Sequence, residues 1–338
     1  MTKTILVLGA TGGIGGEVAR AFLRRGWRVR ALTRRPADAA AKFPWLMGVE
    51  WVGGDAMNEA AVLAGAAGTQ FLFHGAHPAN YANWAEWGIP MLAHSIAAAK
   101  ASGARLILPG NIYNFGPDAG AVVAENAPQH PATEKGRVRV RMEGLLAQAS
   151  LAGVRSLVVR ANDFFGPHSP SSWFGGAMVK PGRPLRSITY PGLPEVGHGF
   201  AYLPDLAEAV ARLAEIDDRL APFETVHFGG HWFDRGIAFA HAVGRAAGTP
   251  DLPVRRFPWP LIWALRPFWG LAHELWEMRY LWREPLRLDN AKLVSLIGPE
   301  PHTPIDQALR ETLEGMGYLP AARRKMASGE IAAVPRKI

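Results

Sequence analysis

The chain of 338 residues contains no cysteine. That excludes a disulfide framework, a thiolate metal site and a cysteine nucleophile, and it fits a reducing, cytoplasmic setting. No apolar run reaches the length of a membrane span, so stable membrane insertion is not expected. The opening MTKTILVLG enters a strand-like run directly, without the basic start, long apolar stretch and small-residue cleavage site of a secretory signal. Lysine and arginine outnumber acids 37 to 29, for a formal charge of +8, but they are scattered rather than gathered in one block. The basic residues carry no interleaved aromatic platform and no reader motif, so a small-molecule substrate is expected and nucleic acid is not. A Gly-x-Ser-x-Gly elbow and a Walker-type loop are also missing, which removes the commonest hydrolase and nucleotidase signals. No metal is expected either: His227 and His231 have i, i+4 spacing, but HFGGH ends a strand among glycines rather than lying on a helix.

What is present is ample core-forming material, 49% hydrophobic against 20% charged. The amino-terminal part alternates short apolar runs with helical patterns: TILVLG, a helix from about Gly13 to Arg25, RVRALT, VEWVGGD, TQFLFHGA and ARLILPG. VRSLVVR and ETVHFGG read as two more strands, separated by a helix from Leu203 to Ile216. Strands alternating with helices predict βαβ units and an α/β, doubly wound, Rossmann-type sheet. Residues 166–199 are rich in proline, glycine and serine and read as irregular. Beyond Pro250 tryptophan and proline become frequent, and 321–338 reads as a basic, weakly ordered tail.

The most specific motif is GATGGIGG at 9–16, between the first strand and the first helix. Gly9, Gly12 and Gly15 allow a sharp turn, close approach of a pyrophosphate and packing of helix on sheet. Thr11, Gly13 and Ile14 share that loop, and the helix amino terminus adds N–H donors and a positive dipole end. After the second strand, a site for unphosphorylated NAD(H) usually offers Asp or Glu to the ribose, whereas this chain reads Thr33, Arg34, Arg35. Two guanidinium groups suit a 2′-phosphate, so NADP(H) is expected in preference to NAD(H). Asp55 and Ala56 follow the third strand, where Asp55 either hydrogen-bonds the adenine amino group or, as an exposed loop aspartate, caps a helix.

With FHGA at 73–76, VVRANDFFGP at 158–167 and FAYLPDLAEAV at 200–210 added to these motifs, the chain resembles the extended short-chain dehydrogenase/reductases, the group of NAD(P)-dependent epimerases and dehydratases. The resemblance runs from residue 1 to about 230. It implies a seven-stranded, mostly parallel sheet with a smaller carboxy-terminal substrate domain: 1–165 and 200–232 for the cofactor, 166–199 and 233–320 for the substrate. It also implies that His74, Gly75 and Ala76 lie beside the cofactor, that Asn162, Asp163, His168 and Trp173 face the substrate, and that a homodimer is an open possibility.

Typical members use a Ser or Thr after the fifth strand and a Tyr-x-x-x-Lys pair on the next helix. Here LILPGNIYNFGP puts Asn111 at the Ser/Thr position, and alignment through Gly136 and Glu143 puts Lys135 at the tyrosine and Arg139 at the lysine. The same alignment decides how to read ATEKGRVRVRMEGLL, whose alternate basic residues otherwise suggest a basic strand. Thr133 suits a helix start, Lys135, Arg139 and Glu143 then share one face, and Arg137 and Arg141 fall on another, solvated one. Arg139 can keep the ribose or phosphate contacts, but a guanidinium cannot carry protons near neutral pH. That leaves Lys135 or Tyr113 as the proton carrier, or a solvated Lys135 and a packed Tyr113 with no such role.

Past Pro267 one continuous helix is expected, with Leu271, Leu275, Met278 and Trp282 on one stripe and Trp269, Ala272, Trp276 and Tyr280 on another. Core packing is the default for both stripes, and a pocket wall, a subunit partner or peripheral membrane contact are the alternatives. The functional expectation is an NADP(H)-binding oxidoreductase acting on a carbonyl or hydroxyl of a small, lipophilic or aromatic molecule. The rival readings are a non-catalytic NADP(H) sensor or scaffold, and a sugar-nucleotide epimerase/dehydratase.

Overall fold

The computed structural model describes residues 2–77, 84–179 and 184–320; the expected tail at 321–338 lies outside the described residues. In chain order the amino-terminal half runs β1 (Thr4–Leu8), α1 (Gly13–Arg24), β2 (Arg28–Thr33), α2 (Pro36–Lys42), β3 (Val49–Gly53), α3 (Glu59–Ala66), β4 (Phe71–His74), α4 (Trp84–Ser102), β5 (Arg105–Asn111), β6 (Val122–Val123) and α5 (Glu134–Leu151). It continues β7 (Ser156–Ala161), β8 (Asp163–Phe165), β9 (Ile188–Tyr190), β10 (His198–Tyr202), α6 (Leu203–Glu215), β11 (Phe223–Phe228) and β12 (His231–Phe233). The remainder is α7 (Ile237–Ala246), β13 (Val254–Arg256), α8 (Trp259–Leu265), α9 (Gly270–Glu277), β14 (Arg287–Leu288), α10 (Ala291–Ile297) and α11 (Ile305–Gly315).

Seven strands form the central sheet in the order β11-β7-β5-β4-β1-β2-β3. Every pairing is parallel, so the "mostly" of the expectation gives way to an all-parallel sheet. Parallel strands need crossover helices on both faces, which is why β4 and β7 are buried throughout, β1 is buried after Thr4, and all three read as largely apolar runs. One face packs on α1 and α6 through Val18, Phe22, Leu206 and Val210; the other packs on α4 and α5 through Leu92, Val138 and Leu146. The strand order reverses between β1 and β4, the switch point at which such sheets open a crevice beyond their carboxyl ends.

ATEKGRVRVRMEGLL is a helix, not a strand. Thr133 caps α5 by accepting from the Gly136 N–H at 3.0 Å, Lys135 and Glu143 are buried, and Arg137 and Arg141 are exposed. A separate carboxy-terminal core gathers Phe165, Phe174, Tyr190, Phe200, Phe239, Trp282 and Leu309. The segment expected to be irregular supplies part of it, through a π-helical turn Phe174–Met178 and strand β9, which pairs in parallel with β13. The single helix expected past Pro267 is also corrected. It divides into α9 and a 3-10 segment Met278–Trp282, so neither expected stripe is buried as a unit; Ala272, Met278, Leu281 and Trp282 go inward.

Candidate active site

The carboxyl edge of the sheet brings the sequence motifs together. Leu8 pairs with Leu32 and His74, Thr33 with Gly53, and Asn111 with Ala161, so the loops after β1, β2, β3, β4, β5 and β7 leave from one side. They border a cleft of about 1140 Å³, its open mouth included, that runs from Gly13 and Ile14 past His74, Gly75 and Ala76 to Asn111, Tyr113, Arg139, Asn162, Asp163 and Trp173.

The glycine loop fits a dinucleotide phosphate on backbone grounds. Gly9 has φ of +83°, and a Cβ there would stand 2.5 Å from the Gly75 carbonyl oxygen; one on Gly15 would stand 2.3 Å from that of Gly9. Both contacts are too short for any side chain, so the loop closes tightly beneath α1. At Gly12 the nearest atom to an added Cβ is 3.4 Å away, which leaves the outer side open, and no side chain caps the first turn of α1. Its amino-terminal N–H groups are therefore available to an anion. Thr11 is exposed beside them, and the exposed Arg34 and Arg35 stand at the end of β2. Asp55 accepts from the Met57 N–H at 2.9 Å and lies 4.0 Å from Arg34 Nε, and the neighbouring Ala56 carbonyl meets His94 Nδ1 at 3.0 Å.

Of the four residues expected around the reacting centre, three line the cleft. Asn111 Oδ1 accepts from the Tyr113 N–H at 3.0 Å, fixing the turn that carries the phenol to the wall. Arg139 donates to the Pro109 carbonyl at 3.1 Å and stacks over Trp84 with its guanidinium carbon 4.7 Å from the ring centroid. Lys135 is withdrawn. It is buried in α5, does not line the cleft, and forms an ion pair with Glu274 of α9. The helical alignment placed it correctly on the Arg139 face, but the carboxylate comes from a distant segment with no sequence signal.

Among the expected substrate contacts, Asn162 donates to the Leu286 carbonyl at 3.0 Å, and its Oδ1 is buried without a hydrogen-bond partner among the described residues. Asp163 Oδ2 meets His198 Nε2 at 2.8 Å, and that imidazole lies flat on Trp282. Trp173 packs edge-on against Trp282 and so ties the cleft to the tryptophan-rich segment. His168 turns elsewhere: Nδ1 meets Glu17 at 2.8 Å and the ring stacks on Trp45. Sequence reasoning missed Trp84, Met142, Ser169 and Ser172 in the lining. Only Met142 had a signal, one helical turn beyond Arg139.

His227 and His231 do not converge. His227 joins Arg160 and the Val123 carbonyl, whereas His231 packs against His302. Burial is the first cause that lowers His74 and His227 to a pKa of about 3 and His231 to about 4. In His74 the Ser95 hydroxyl donates to Met91, so its oxygen accepts from Nδ1–H; Nε2 is left as a buried acceptor without a partner among the described residues. Three imidazoles neutral when folded but ordinary when unfolded make the unfolded state bind more protons below about pH 6.5. Stability is thus expected to be complete above pH 6.5 and to fall as pH drops toward 3–4, by up to about 1.4 kcal/mol per pH unit for each group. Asp205, whose pKa is raised by burial, opposes part of this. Urea midpoints measured between pH 7.5 and pH 4.5, about two units below the start of that window, check the slope; a flat profile contradicts it.

Comparison with known proteins agrees with this fold. Residues 1–113 match the NmrA-like family. An NmrA-like family domain-containing oxidoreductase, notA of Aspergillus sp. (strain MF297-2), is 40% identical over 72 residues, 21% of each chain. The match therefore spans about a fifth of that relative's length. The 3-diazoavenalumate denitrifying reductase of a Streptomyces species is 29% identical over 305 residues, 81% of this chain and 90% of that one. UDP-glucuronic acid 4-epimerase from Bacillus cereus, solved with UDP-glucuronic acid and NAD, superposes with a TM-score of 0.70 at 16% identity over 93% of this chain and 98% of that one. The fold is that of the NAD-dependent epimerases and dehydratases, with an NmrA-like amino-terminal part. No helix among the described residues is long and apolar enough to cross a membrane.

Proposed function

We propose that this chain, with its NmrA-like amino-terminal part and extended dehydrogenase fold, is an NADP(H)-dependent oxidoreductase acting on a small aromatic or lipophilic molecule. The observation that supports this reading is the continuity of the cleft: the glycine loop leads into a wall where Tyr113, Asn111 and Arg139 meet Trp84, Phe164 and Trp173. In this reading 1–165 and 200–232 hold the cofactor, and 166–199 with 233–320 close over the substrate. Gly9, Thr11, Gly12, Gly13, Ile14 and Gly15 hold the pyrophosphate; Thr33, Arg34, Arg35, Asp55 and Ala56 hold the adenosine end. His74, Gly75, Ala76 and Arg139 border the nicotinamide half, which when bound supplies a hydride.

The chain's own share is to orient the substrate and to handle the proton. For a carbonyl, a proton must reach the oxygen. Among the described residues, Tyr113 is the cleft phenol that would donate it, while Asn111 positions that oxygen and Arg139 remains a fixed positive charge. Asp163, Asn162 and Trp173 line the substrate side. The removal of Lys135 into an ion pair favours a second reading as well, a substrate whose reduction needs no proton. Replacement of the N2 group of an aromatic diazonium by hydride is such a case: the two bonding electrons of the carbon–nitrogen bond leave with N2, and hydride supplies the new pair. Charge and atoms balance without an acid. The Streptomyces relative is named for the denitrifying reduction of a diazo compound.

The test is NADPH consumption with a panel of aromatic aldehydes, ketones and arenediazonium salts, for the wild type and Tyr113→Phe. On a carbonyl, the variant is expected to lose about 100-fold or more in kcat; on a diazonium salt it is expected to match the wild type. Cofactor binding without turnover of any member favours a sensor or scaffold.

A further inference from the structure

We propose that the α8–α9 hairpin is a docking surface for an anionic lipid bilayer. The inference stands on the hairpin alone and is independent of the reading given for the cleft. Pro258, Pro260 and Pro267 divide the segment into two short helices packed on each other, with Ile262 and Ala272 directed inward. Along α8, the joining turn and the start of α9 the large apolar side chains face water: Phe268 is 88% exposed, Leu261 56%, Trp263 54%, Trp269 45% and Leu271 41%. Five such residues fall within eleven positions of one hairpin, whereas isolated exposed leucines need no explanation.

The charges beside these side chains select their partner. Arg255, Arg256 and Arg283 are exposed, and Arg266 stacks over Trp263 and Trp276 with its guanidinium carbon 5.6 and 5.0 Å from their centroids. Arg279 lies 4.5 Å from the Trp276 centroid. Of the acids in the two helices, the half-buried Glu274 pairs with Lys135 and Glu277 lies 3.8 Å from His273; outside them the exposed Glu284 offsets Arg283 and Asp251 one of Arg255 and Arg256, so the remaining rim, Arg266 and Arg279 included, is net cationic. Tryptophan, phenylalanine and leucine on the hairpin with arginines around them is the composition of a segment that rests in the headgroup layer. Each arginine near an anionic surface adds attraction. A second copy of the chain in the same place would bring two arginine rims together, which like-charge repulsion disfavours. Both helices are far shorter than a membrane span, so the contact is peripheral.

Co-sedimentation of the full-length protein with vesicles tests the proposal, using phosphatidylcholine alone and phosphatidylcholine with an equal share of phosphatidylglycerol. Binding to the anionic vesicles, weakening as salt is raised, is expected. Phe268→Ser with Trp263→Ser is expected to reduce the binding on the order of tenfold or more, with the thermal transition unchanged because both side chains are exposed. Arg255→Glu with Arg256→Glu is expected to abolish the preference for anionic vesicles. No binding to either vesicle, equal binding to both, or indifference to both double substitutions overturns the proposal. So does a concentration-dependent dimer, seen by light scattering, that Phe268→Ser disperses.

Discussion

Glu143→Gln is expected to lower the unfolding free energy by about 3–5 kcal/mol. Glu143 is buried in α5 and receives the Arg160 guanidinium of β7 through two contacts, Nε at 3.1 Å and Nη2 at 2.6 Å. The remaining nitrogen, Nη1, is 3.0 Å from His227 Nε2 and donates to the Glu125 carbonyl at 3.3 Å. Because His227 is held neutral, its Nδ1–H donates to the Val123 carbonyl and its Nε2 accepts from the arginine. Phe115 covers the guanidinium, 5.2 Å from ring centroid to carbon. Even the neighbouring strand is shaped to it: a Cβ on Gly110 would stand 2.6 Å from Arg160 Cγ. An amide at position 143 leaves a buried cation without its counter-charge, the costly way to break such a pair. The double variant Glu143→Leu/Arg160→Met removes both charges and is expected to recover most of the loss. Urea unfolding of the single and double variants checks this. A double variant no more stable than Glu143→Gln would mean that the network acts through packing rather than charge.

That network shows where sequence reading succeeded and where it stopped. Periodicity delivered α5, its cap at Thr133 and the shared face of Lys135, Arg139 and Glu143, because each depends on residues within a few positions of one another. The central sheet strands were legible for the same reason: β1, β4, β5 and β7, covered on both faces, are largely apolar runs, while β2 and the edge strand β3 keep charged residues at exposed positions. The partners of the α5 face were not legible. Arg160, His227 and Glu274 lie 17, 84 and 131 positions beyond Glu143 in the numbering, and only the tertiary fold brings Arg160 to that carboxylate, His227 to the arginine and Glu274 to Lys135. His227, considered as half of a metal pair, is instead a hydrogen-bond acceptor for a buried arginine. The tryptophan-rich segment failed differently. Its apolar residues were visible, but the late helix start at Gly270 and the change to 3-10 geometry after Glu277 break the phase on which the two stripes were drawn.

The proposed preference for NADP(H) turns on Arg34 and Arg35, exposed at the end of β2, and its test carries the largest expected effect on binding. Arg34→Ala with Arg35→Ala should weaken NADPH on the order of 100-fold, since each charge-assisted hydrogen bond to a phosphate contributes about 1.5–3 kcal/mol. NADH, which lacks the 2′-phosphate, should change by only a few-fold. Neither guanidinium is committed elsewhere: their side chains are 82% and 81% exposed, and their acidic neighbours, Asp55 and Asp38, lie at 4.0 and 3.7 Å. Such solvated pairs contribute little and yield readily to a dianion. The converse substitution sharpens the test. Arg34→Asp places an acceptor at the end of β2, where it can receive the ribose hydroxyls and repel a phosphate, and it should turn the preference toward NADH. Fluorescence titration of both cofactors at two salt concentrations measures the outcome, with the NADPH difference shrinking as salt screens the exposed charges. Equal weakening of both cofactors would place the arginines in the general field of the cleft rather than on the 2′-phosphate.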